Sequence, residues 1–439
     1  MESASLAGPS SQPVFLAENR NLRLFTIFLL YAGQGIPLGL FDFTIPAWMA
    51  VSGASARDIA FVVAMTGIPW SFKFIAGFMM DRYTLLAMGR RRIWIIGAQI
   101  VMIALLAIFA IISPGPRDVL ILGLVALAVN TATVFQDVAV DGLTVDILPE
   151  EERSMGGALA SGGQVIGIAV SAGLTGTMVY AFGASAAYIA CALLVVLVTV
   201  HVIWVRERVG ERRLPWSRGE AQQVNILAQA DHWLPLLKGA LRNTFSRQSL
   251  SYFPILVSVG LTYGICLIAV PMIATGETGW AEDQLGSLNG TAQLVAGVAT
   301  IAIGGFAVGK LGAQRAFWIS RCAFIALTGW MIWMADSWSD PRVLIIFVLG
   351  WTVLAATQFS IFMAFSNMGI SLAGILIGSI AMLSEPKAML MFLIGVHILS
   401  VLILLVVKYP TRQIGALDIP PATGTDPAVA DPVAYPARD

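Results

Sequence analysis

The hydrophobic residues of this chain are grouped into twelve long segments, and polar connections separate one segment from the next. Each segment has about 18–27 mainly apolar residues, enough to cross a hydrocarbon core of roughly 30 Å at about 1.5 Å per residue. This pattern predicts twelve membrane-spanning helices. Their expected limits are 24–50, 58–80, 93–113, 118–147, 154–182, 185–205, 252–275, 282–309, 315–335, 342–365, 368–384 and 387–408.

One polar stretch, residues 206–251, is longer than the other connections and divides the segments into two sets of six. We therefore expect a six-helix bundle at 23–205, this stretch as a cytoplasmic linker, and a second six-helix bundle at 252–409. Residues 1–22 lack the basic start and apolar centre of a signal peptide, so they are expected to be a disordered lead-in. Residues 410–439 are rich in Pro, Ala and Asp and are expected to be a disordered tail.

The second part of the linker carries apolar residues at helical spacing, with Pro235 near the start of the pattern. This spacing predicts a short amphipathic helix that lies on the inner membrane surface. A solvated linker without a helix is the alternative. The apolar positions are Trp233, Leu234, Leu237, Leu241 and Phe245.

The basic residues are distributed unevenly between the two sides of the predicted membrane. If both termini are cytoplasmic, 21 of the 26 Lys and Arg residues lie on the cytoplasmic side. Lys73 falls within a helix, and the four on the other side are Arg57, Arg117, Arg342 and Lys387. Because positive loops stay inside, this asymmetry predicts a multi-pass protein of the inner membrane with both termini in the cytoplasm.

The two sets of six segments repeat one another at an offset of 226–228 residues. Gly53 precedes the second segment as Gly279 precedes the eighth, and the pair Gly77–Phe78 corresponds to Gly305–Phe306. Twelve helices built as two parallel repeats are the pattern of the major facilitator architecture, in which the two halves rock around a central site. The expected fold class is therefore an all-α integral membrane protein with two six-helix repeats.

The composition excludes several classes of function. Only 12% of residues are charged, against roughly 25% in soluble domains, while 57% are hydrophobic and the mean hydropathy is +0.81. The net charge is zero, which gives no reason to expect a nucleic-acid partner. The three cysteines lie in apolar segments and the three histidines are far apart, so we expect no metal, no cofactor and no enzymatic activity.

The end of the second segment carries a recognisable motif. It reads GFMMDR at residues 77–82 and is closed by GRRR at 89–92, after PWSFKF at 69–74, while the fourth segment contains QDVAVDG at 136–142. These runs resemble the AmpG-like peptide/acetyl-CoA transporter family of the major facilitator superfamily. The resemblance implies a carrier of muropeptides, acetyl-CoA or siderophores, and it is specific over residues 58–170.

Four residues of this motif, Gly77, Asp81, Arg82 and Arg90, are candidates for a gate at the cytoplasmic side. Asp81 lies at a helix end, where it can pair with a basic residue or accept from the start of a neighbouring helix. The two arginines can bind carboxylates or lipid phosphates. Such contacts form only while the two halves are closed on the cytoplasmic side. They would therefore shift the equilibrium between the conformations that are closed and open on that side. Simple positive-inside anchoring suffices for the two arginines that follow Arg90.

Charged residues inside the predicted helices are the sharper signal, since each costs at least about 2.5–3.5 kcal/mol on insertion scales. Lys73 in helix 2 and Asp141 in helix 4 lie level, so we expect them to pair, with Asp137 sharing the cation. A purely structural ion pair is the alternative, and Asp137 is the better candidate for a group that carries protons. The polar stripe of helix 4 consists of Asn130, Thr133, Asp137, Asp141 and Thr144.

Asp42 in helix 1 is a second candidate for proton coupling. By helical spacing it shares one face with Tyr31 and Gln34, and that face is expected to line the cavity. No basic residue inside the membrane is level with it. The alternative is an aspartate near enough to the outer surface to be hydrated, with Arg57 as its partner.

Neutral polar residues are expected to line the substrate cavity, because amides and hydroxyls suit a ligand rich in the same groups. Each of them can instead hold neighbouring helices together. The candidates are Gln34, Asn130, Thr133, Gln136, Thr262, Asn289, Gln293 and Gln358.

These features favour a secondary transporter that imports an amphipathic organic solute, of the muropeptide or siderophore kind, together with protons. The alternatives are a drug or metabolite exporter of the same fold, and a membrane sensor or assembly protein that transports nothing. The expected partners are a small-molecule substrate, protons and membrane lipids, and the protein is expected to act as a monomer.

Overall fold

The described residues of the computed structural model are 15–227, 247–299, 313–359 and 363–407, with positions 229, 234 and 238 between them. Within these ranges the chain forms twelve long helices and no β-strand, as the segment pattern predicts. The all-helical membrane fold is therefore confirmed. We number the long helices α1–α12, and their bounds are Arg20–Val51, Ala56–Arg82, Arg92–Ile112, Val119–Ile147, Arg153–Phe182, Ala184–Trp204, Arg247–Gly276, Glu282–Ala299, Ala313–Trp333, Pro341–Phe359, Met363–Ser379 and Pro386–Val406.

Length and hydropathy agree with membrane crossing. Eight of the described helices, α1–α7 and α12, are long and apolar enough to span a bilayer. Helices α9, α10 and α11 contain shorter apolar stretches, at Phe317–Trp333, Pro341–Ala355 and Met368–Ser379. Helix α8 is more polar because it carries Asn289 and Gln293, and both of these side chains are buried inside the protein.

Helix α1 is not regular along its whole length. Residues Gly39–Thr44 form a π-helical turn, and Pro37 and Pro46 lie on either side of it. Proline removes a backbone donor and crowds the preceding turn, so the helix changes its register here. Asp42 lies inside this wide turn, which is a geometry that often marks functional positions.

Helix α2 is bent at Phe72, where φ is −111° and ψ is 13°. The bend follows Pro69, whose ring disturbs the turn before it. Beyond the bend, the segment Lys73–Arg82 packs against α4.

We call the end of the molecule that carries the α2–α3 loop and the linker the basic end.

The two halves meet most closely away from the basic end. The first part of α2 packs against α11, where a Cβ atom on Gly374 would lie 2.4 Å from the carbonyl oxygen of Ala60. A Cβ atom on Gly67 would lie 2.6 Å from the hydroxyl of Ser371. Small residues are therefore required at this contact, as is common where membrane helices touch.

Helices α5 and α8 form a second contact between the halves. Gly176 and Gly286 face each other, and a Cβ atom on either would lie within 3.1 Å of the Cα atom of the other. Gly290 approaches the carbonyl oxygen of Ala169 in the same way. A single hydrophobic core, built from residues of both halves, continues through these contacts.

Residues 15–17 and the first part of the linker lie against the basic end of the first half. The backbone nitrogen of Leu16 donates to the carbonyl of Arg206 (2.9 Å), and that of Ala17 donates to Glu207 (2.9 Å). We call residues 15–17 and 206–227 the clasp. Helix α1 begins at Arg20, four residues before the expected start. The residues just before it are already hydrogen-bonded to the linker. Of the apolar positions of the predicted amphipathic helix, all except Leu234 lie outside the described residues.

Candidate functional site

A buried ion cluster joins α2 and α4. The ammonium of Lys73 lies 3.2 Å from Asp137 Oδ2 and 3.8 Å from Asp141 Oδ2. The Asp137 side chain is completely buried, whereas that of Asp141 is 45% exposed. The structure thus brings together the three residues that the sequence grouped, but the closest carboxylate is Asp137 rather than Asp141.

Helix α1 binds both carboxylates of this cluster. Gln34 Nε2 donates to Asp137 Oδ1 (2.6 Å), and the Tyr31 hydroxyl donates to Asp141 Oδ1 (2.5 Å). The donors are three residues apart on α1 and the acceptors four apart on α4, so two helical faces meet in register. Three helices of the first half are therefore joined by one network of one cation, two carboxylates and two neutral donors.

The other candidates on α4 are buried and bonded inside the first half. Asn130 accepts from the indole of Trp70 (3.2 Å), and the Thr133 hydroxyl donates to its own helix. Gln136 Nε2 donates to the carbonyl of Leu30 (3.1 Å), which ties α4 to α1. The bonds of Asn130 and Gln136 therefore link helices, whereas that of Thr133 stays within α4.

The candidates in the second half are spread over several helices. The Thr262 hydroxyl donates to Ser258 in the same helix (2.7 Å). Asn289 and Gln293 are buried on α8, close to its contact with α5. The side chain of Gln358 lies outside the described residues.

Asp42 is at the interface between the halves rather than at the outer surface. It is 7% exposed, and the hydroxyl of Tyr263 on α7 donates to its Oδ2 at 3.4 Å. The ring of Tyr263 packs edge-on against Phe43 and Trp351. Asp42 therefore contacts α7, whereas the residues expected on the same face, Tyr31 and Gln34, contact α4. The π-helical turn separates the two sets.

The α2–α3 loop contains a second charge cluster. Asp81 Oδ1 accepts from Arg91 (2.7 Å) and from Arg90 (3.4 Å), and both arginines also contact Asp146 at the end of α4. Two of these residues were not among the candidates. Arg91 was assigned to anchoring, and Asp146 was not considered although it follows the polar stripe of α4.

The other members of the proposed gate differ from Asp81 and Arg90. A Cβ atom on Gly77 would meet only Val138, at an ordinary contact distance of 3.6 Å. Arg82 has no acidic partner among the described residues, and its guanidinium lies 5.9 Å from the ring centre of Tyr83. These two residues are therefore not part of the charge cluster around Asp81.

Glu207, the central residue of the clasp, is not among the candidates predicted from the sequence. Its carboxylate is fully buried and accepts from the backbone nitrogens of Arg90, Arg91 and Arg92 at the start of α3. A helix start favours an anion. Gly89 makes room, because a Cβ atom there would lie 2.3 Å from the carboxylate, and its φ of 93° favours glycine.

Burial raises the pKa of Glu207 to about 7, and the neighbouring Glu211 adds to this rise. The backbone donors of α3 and the guanidinium of Arg92 oppose it. Arg92 also donates to the carbonyls of Val202 and Arg212, so it connects α3 to the end of α6 and to the linker. Protonation of Glu207 would remove the negative charge from the contact between the linker and the start of α3.

A membrane bundle with buried charges between its helices is typical of a transporter. The Major Facilitator Superfamily model matches residues 24–360, which is most of the chain, so this protein belongs to that superfamily. It is therefore a multi-pass membrane protein of a superfamily of transporters. Among the described residues, no group of three His, Cys, Asp or Glu side chains is arranged to hold a metal ion.

The relatives narrow the resemblance to AmpG-like transporters. The chain is 35% identical over 150 residues to the anhydromuropeptide permease of Escherichia coli K12, a match that covers 34% of this chain and 30% of that protein. A Rickettsia felis protein that carries the name AmpG 4 is 24% identical over 310 residues, which is 66% of this chain and 67% of that protein. The match with the Escherichia coli permease thus spans less than a third of that relative's length.

One structural neighbour supports the fold alone. A crystal structure of the peptide transporter POT in complex with alafosfalin superposes with a TM-score of 0.60. It covers 90% of this chain and 96% of the neighbour, at 14% sequence identity. The two proteins therefore share one helix arrangement over most of this chain.

Proposed function

We propose that this protein is a proton-coupled transporter of the inner membrane that imports an amphipathic organic solute of the muropeptide or siderophore class. Both termini would lie in the cytoplasm, because the basic end carries most of the Lys and Arg residues. The observation that carries the proposal is the network of Lys73, Asp137 and Asp141 in the first half. The protein would act as a monomer.

The charge balance of this network supports proton coupling. One ammonium faces two carboxylates, so the fully ionised cluster carries one net negative charge inside the membrane. Such a charge is costly in the bilayer, and one proton removes it. Asp137 is the proposed carrier, because it is completely buried, whereas Asp141 is partly hydrated.

The same network can transmit its protonation state to α1. Asp137 and Asp141 are bonded to Gln34 and Tyr31, so a proton on either carboxylate changes what these donors bind. Helix α1 continues through the π-helical turn to Asp42, which contacts α7 of the other half. Protonation in the first half would therefore shift the balance between the two ways in which the halves pack.

The substrate class rests on similarity and on the neutral candidates. The Escherichia coli relative is named an anhydromuropeptide permease, and a muropeptide presents sugar hydroxyls and peptide amides. Asn289 and Gln293 on α8 offer amide groups of the complementary kind. They lie where α8 meets α5, which is a contact that must change when the halves rock.

The test is uptake of a labelled anhydromuropeptide into proteoliposomes under an imposed pH gradient. We expect uptake that is driven by the gradient and abolished by a protonophore. Asp137→Asn should abolish it, while Asp118→Asn, which changes an exposed aspartate before α4, should leave it intact. Uptake that is unaffected by the protonophore would contradict proton coupling, and efflux in place of uptake would favour the exporter.

A further inference from the structure

A large apolar groove lies on the surface of the first half, near the basic end. Its volume is about 740 Å³, within the range of roughly 300–1,000 Å³ that is usual for small-molecule sites. The loop after α2, the first turns of α3 and the middle of α4 form its walls. Its lining includes Tyr83, Trp94, Gly97, Val101 and Phe135.

This groove faces the hydrocarbon of the membrane. Val101 on its wall is 51% exposed, and the neighbouring apolar side chains Ile100 and Leu124 are 54% and 53% exposed. In a membrane-spanning helix such side chains contact lipid tails. The groove is therefore open to the leaflet at the basic end, where acyl chains are the surrounding solvent.

The edge of the groove is fixed by aromatic residues. The indole nitrogen of Trp94 donates to the carbonyl oxygen of Tyr83 (2.7 Å), and the Trp94 ring lies 6.0 Å from that of Phe135. These contacts hold the loop after α2 against α3 and α4. The shape of the groove is thus built into the fold rather than formed by loose side chains.

A single cation stands beside this edge. Arg90 and Arg91 are paired with Asp81 and Asp146, and Arg92 is buried among carbonyl groups. Arg82 differs, because among the described residues it has no acidic partner and lies over the ring of Tyr83, which lines the groove. The groove can hold a long apolar chain, and the guanidinium of Arg82 can bind an anionic headgroup. The two together are complementary to a molecule that has both parts.

We propose that this groove binds one anionic phospholipid, with an acyl chain in the slot and the phosphate at Arg82. The proposal depends on the membrane placement and not on the transported substrate. Lipid tails are as apolar as the groove, so the chain itself gains little by leaving the bilayer. Selectivity must therefore come from the headgroup, and an arginine favours anionic over zwitterionic lipids at the membrane surface.

Native mass spectrometry of the purified protein can measure this selectivity. Phosphatidylglycerol and phosphatidylethanolamine with identical chains would be added in equal amounts. We expect wild-type protein to retain about fivefold more of the anionic lipid. Arg82→Gln should remove this preference. Gly97→Phe should reduce binding of both lipids, because a Cβ atom at Gly97 meets nothing within 4 Å and the ring can fill the slot without a clash.

The control is Leu193→Phe, which adds a ring at a residue of α6 that is 59% exposed and lies outside the groove. It should bind both lipids as the wild type does. If Gly97→Phe binds as much lipid as this control, the groove is not the site. If Arg82→Gln keeps the full preference for phosphatidylglycerol, the headgroup is not bound at Arg82, and the proposal is equally overturned.

Discussion

The two halves of this molecule repeat one architecture but differ in how they handle buried polar groups. In the first half, Lys73 is bound to two carboxylates that are in turn bonded to α1. In the described part of the second half, the Ser400 hydroxyl donates to that of Ser258, and the guanidinium of Arg321 donates to Nδ1 of His397 at 3.1 Å. A repeated fold therefore does not imply repeated chemistry.

This difference suggests that the two halves have different functions in transport. A cluster with one more acid than base can bind and release a proton at little cost, because both states are partly compensated. The polar groups described in the middle of α7–α12 form no such cluster of acids and a base. They are hydroxyls, amides and the pair of Arg321 and His397. Coupling would then reside in the first half, and the second half would supply neutral contacts and the partner surface.

Removal of the cation should give the largest effect. Lys73→Ala leaves Asp137 buried without its counter-ion, which costs about 3–5 kcal/mol, whereas the double change Lys73→Ala with Asp137→Ala should recover much of it. Thermal unfolding in detergent measures both. The exposed Lys387→Ala is the control and should be neutral. A double variant as unstable as the sum of the singles would mean that these residues do not pair.

Removal of the contact between Asp42 and α7 should give the next effect. Tyr263→Phe deletes the donor to a buried carboxylate and should cost about 1–3 kcal/mol. It should also favour separation of the halves, so that a cysteine placed at Ser371, beside Gly67, reacts faster with a maleimide in a cysteine-free background.

Tyr188→Phe is the matched control for this experiment. The hydroxyl of Tyr188 is buried within the first half and has no hydrogen-bond partner there. Its removal should change neither stability nor labelling. Equal behaviour of the two variants would remove Tyr263 from the contact between the halves.

The clasp should make stability depend on pH. The pKa of Glu207 is raised from 4.5 to about 7, so the folded state binds its proton more tightly than the unfolded state does. Its contribution to the free energy of unfolding is therefore complete below about pH 4.5 and is lost as the pH rises through about 7. The loss is on the order of 3 kcal/mol, since the pKa rises by about 2.5 and one pKa unit corresponds to about 1.4 kcal/mol.

Chemical unfolding of wild type and Glu207→Gln between pH 4.5 and 8 tests this. The wild type should lose more stability than the variant over this range, because glutamine does not titrate. A parallel pH dependence of the two proteins would contradict the role of Glu207.

The smallest effect is expected at Gly77. A Cβ atom there makes an ordinary contact with Val138, and alanine is the better helix former, so Gly77→Ala should change stability by no more than about 0.5 kcal/mol. Gly89→Ala should be clearly destabilising, because its Cβ atom would overlap the carboxylate of Glu207. Melting temperatures distinguish them, and a large loss at Gly77 would show a close contact in another conformation.

Much of this architecture follows from sequence periodicity, because twelve apolar segments of sufficient length leave few alternatives in a membrane. The sequence also predicts that Lys73, Asp137 and Asp141 lie at a similar depth in the membrane. This prediction needs only the rise per residue and the positions of the helix ends. The partner of Asp42 does not, because the π-helical turn of α1 rotates its side chain and Tyr263 is 221 residues away.

The clasp could not be predicted for a different reason. Glu207 is an ordinary residue in a polar stretch, and nothing in its neighbours shows that the start of α3 will surround it. The sequence likewise predicts no partner for Arg91, because membrane anchoring is enough to account for a basic loop. Its pairing with Asp81 and Asp146 depends on where α4 ends in space, which local spacing does not reveal.

The central claim is that Asp137 takes up and releases a proton in each transport cycle. The most direct measurement is the internal pH of proteoliposomes, reported by a trapped dye, after addition of the anhydromuropeptide without any imposed gradient. We expect wild-type protein to acidify the interior as substrate enters. Asp137→Asn should exchange labelled for unlabelled substrate without moving protons. Substrate entry with no acidification in the wild type, or acidification that persists in Asp137→Asn, would contradict the account.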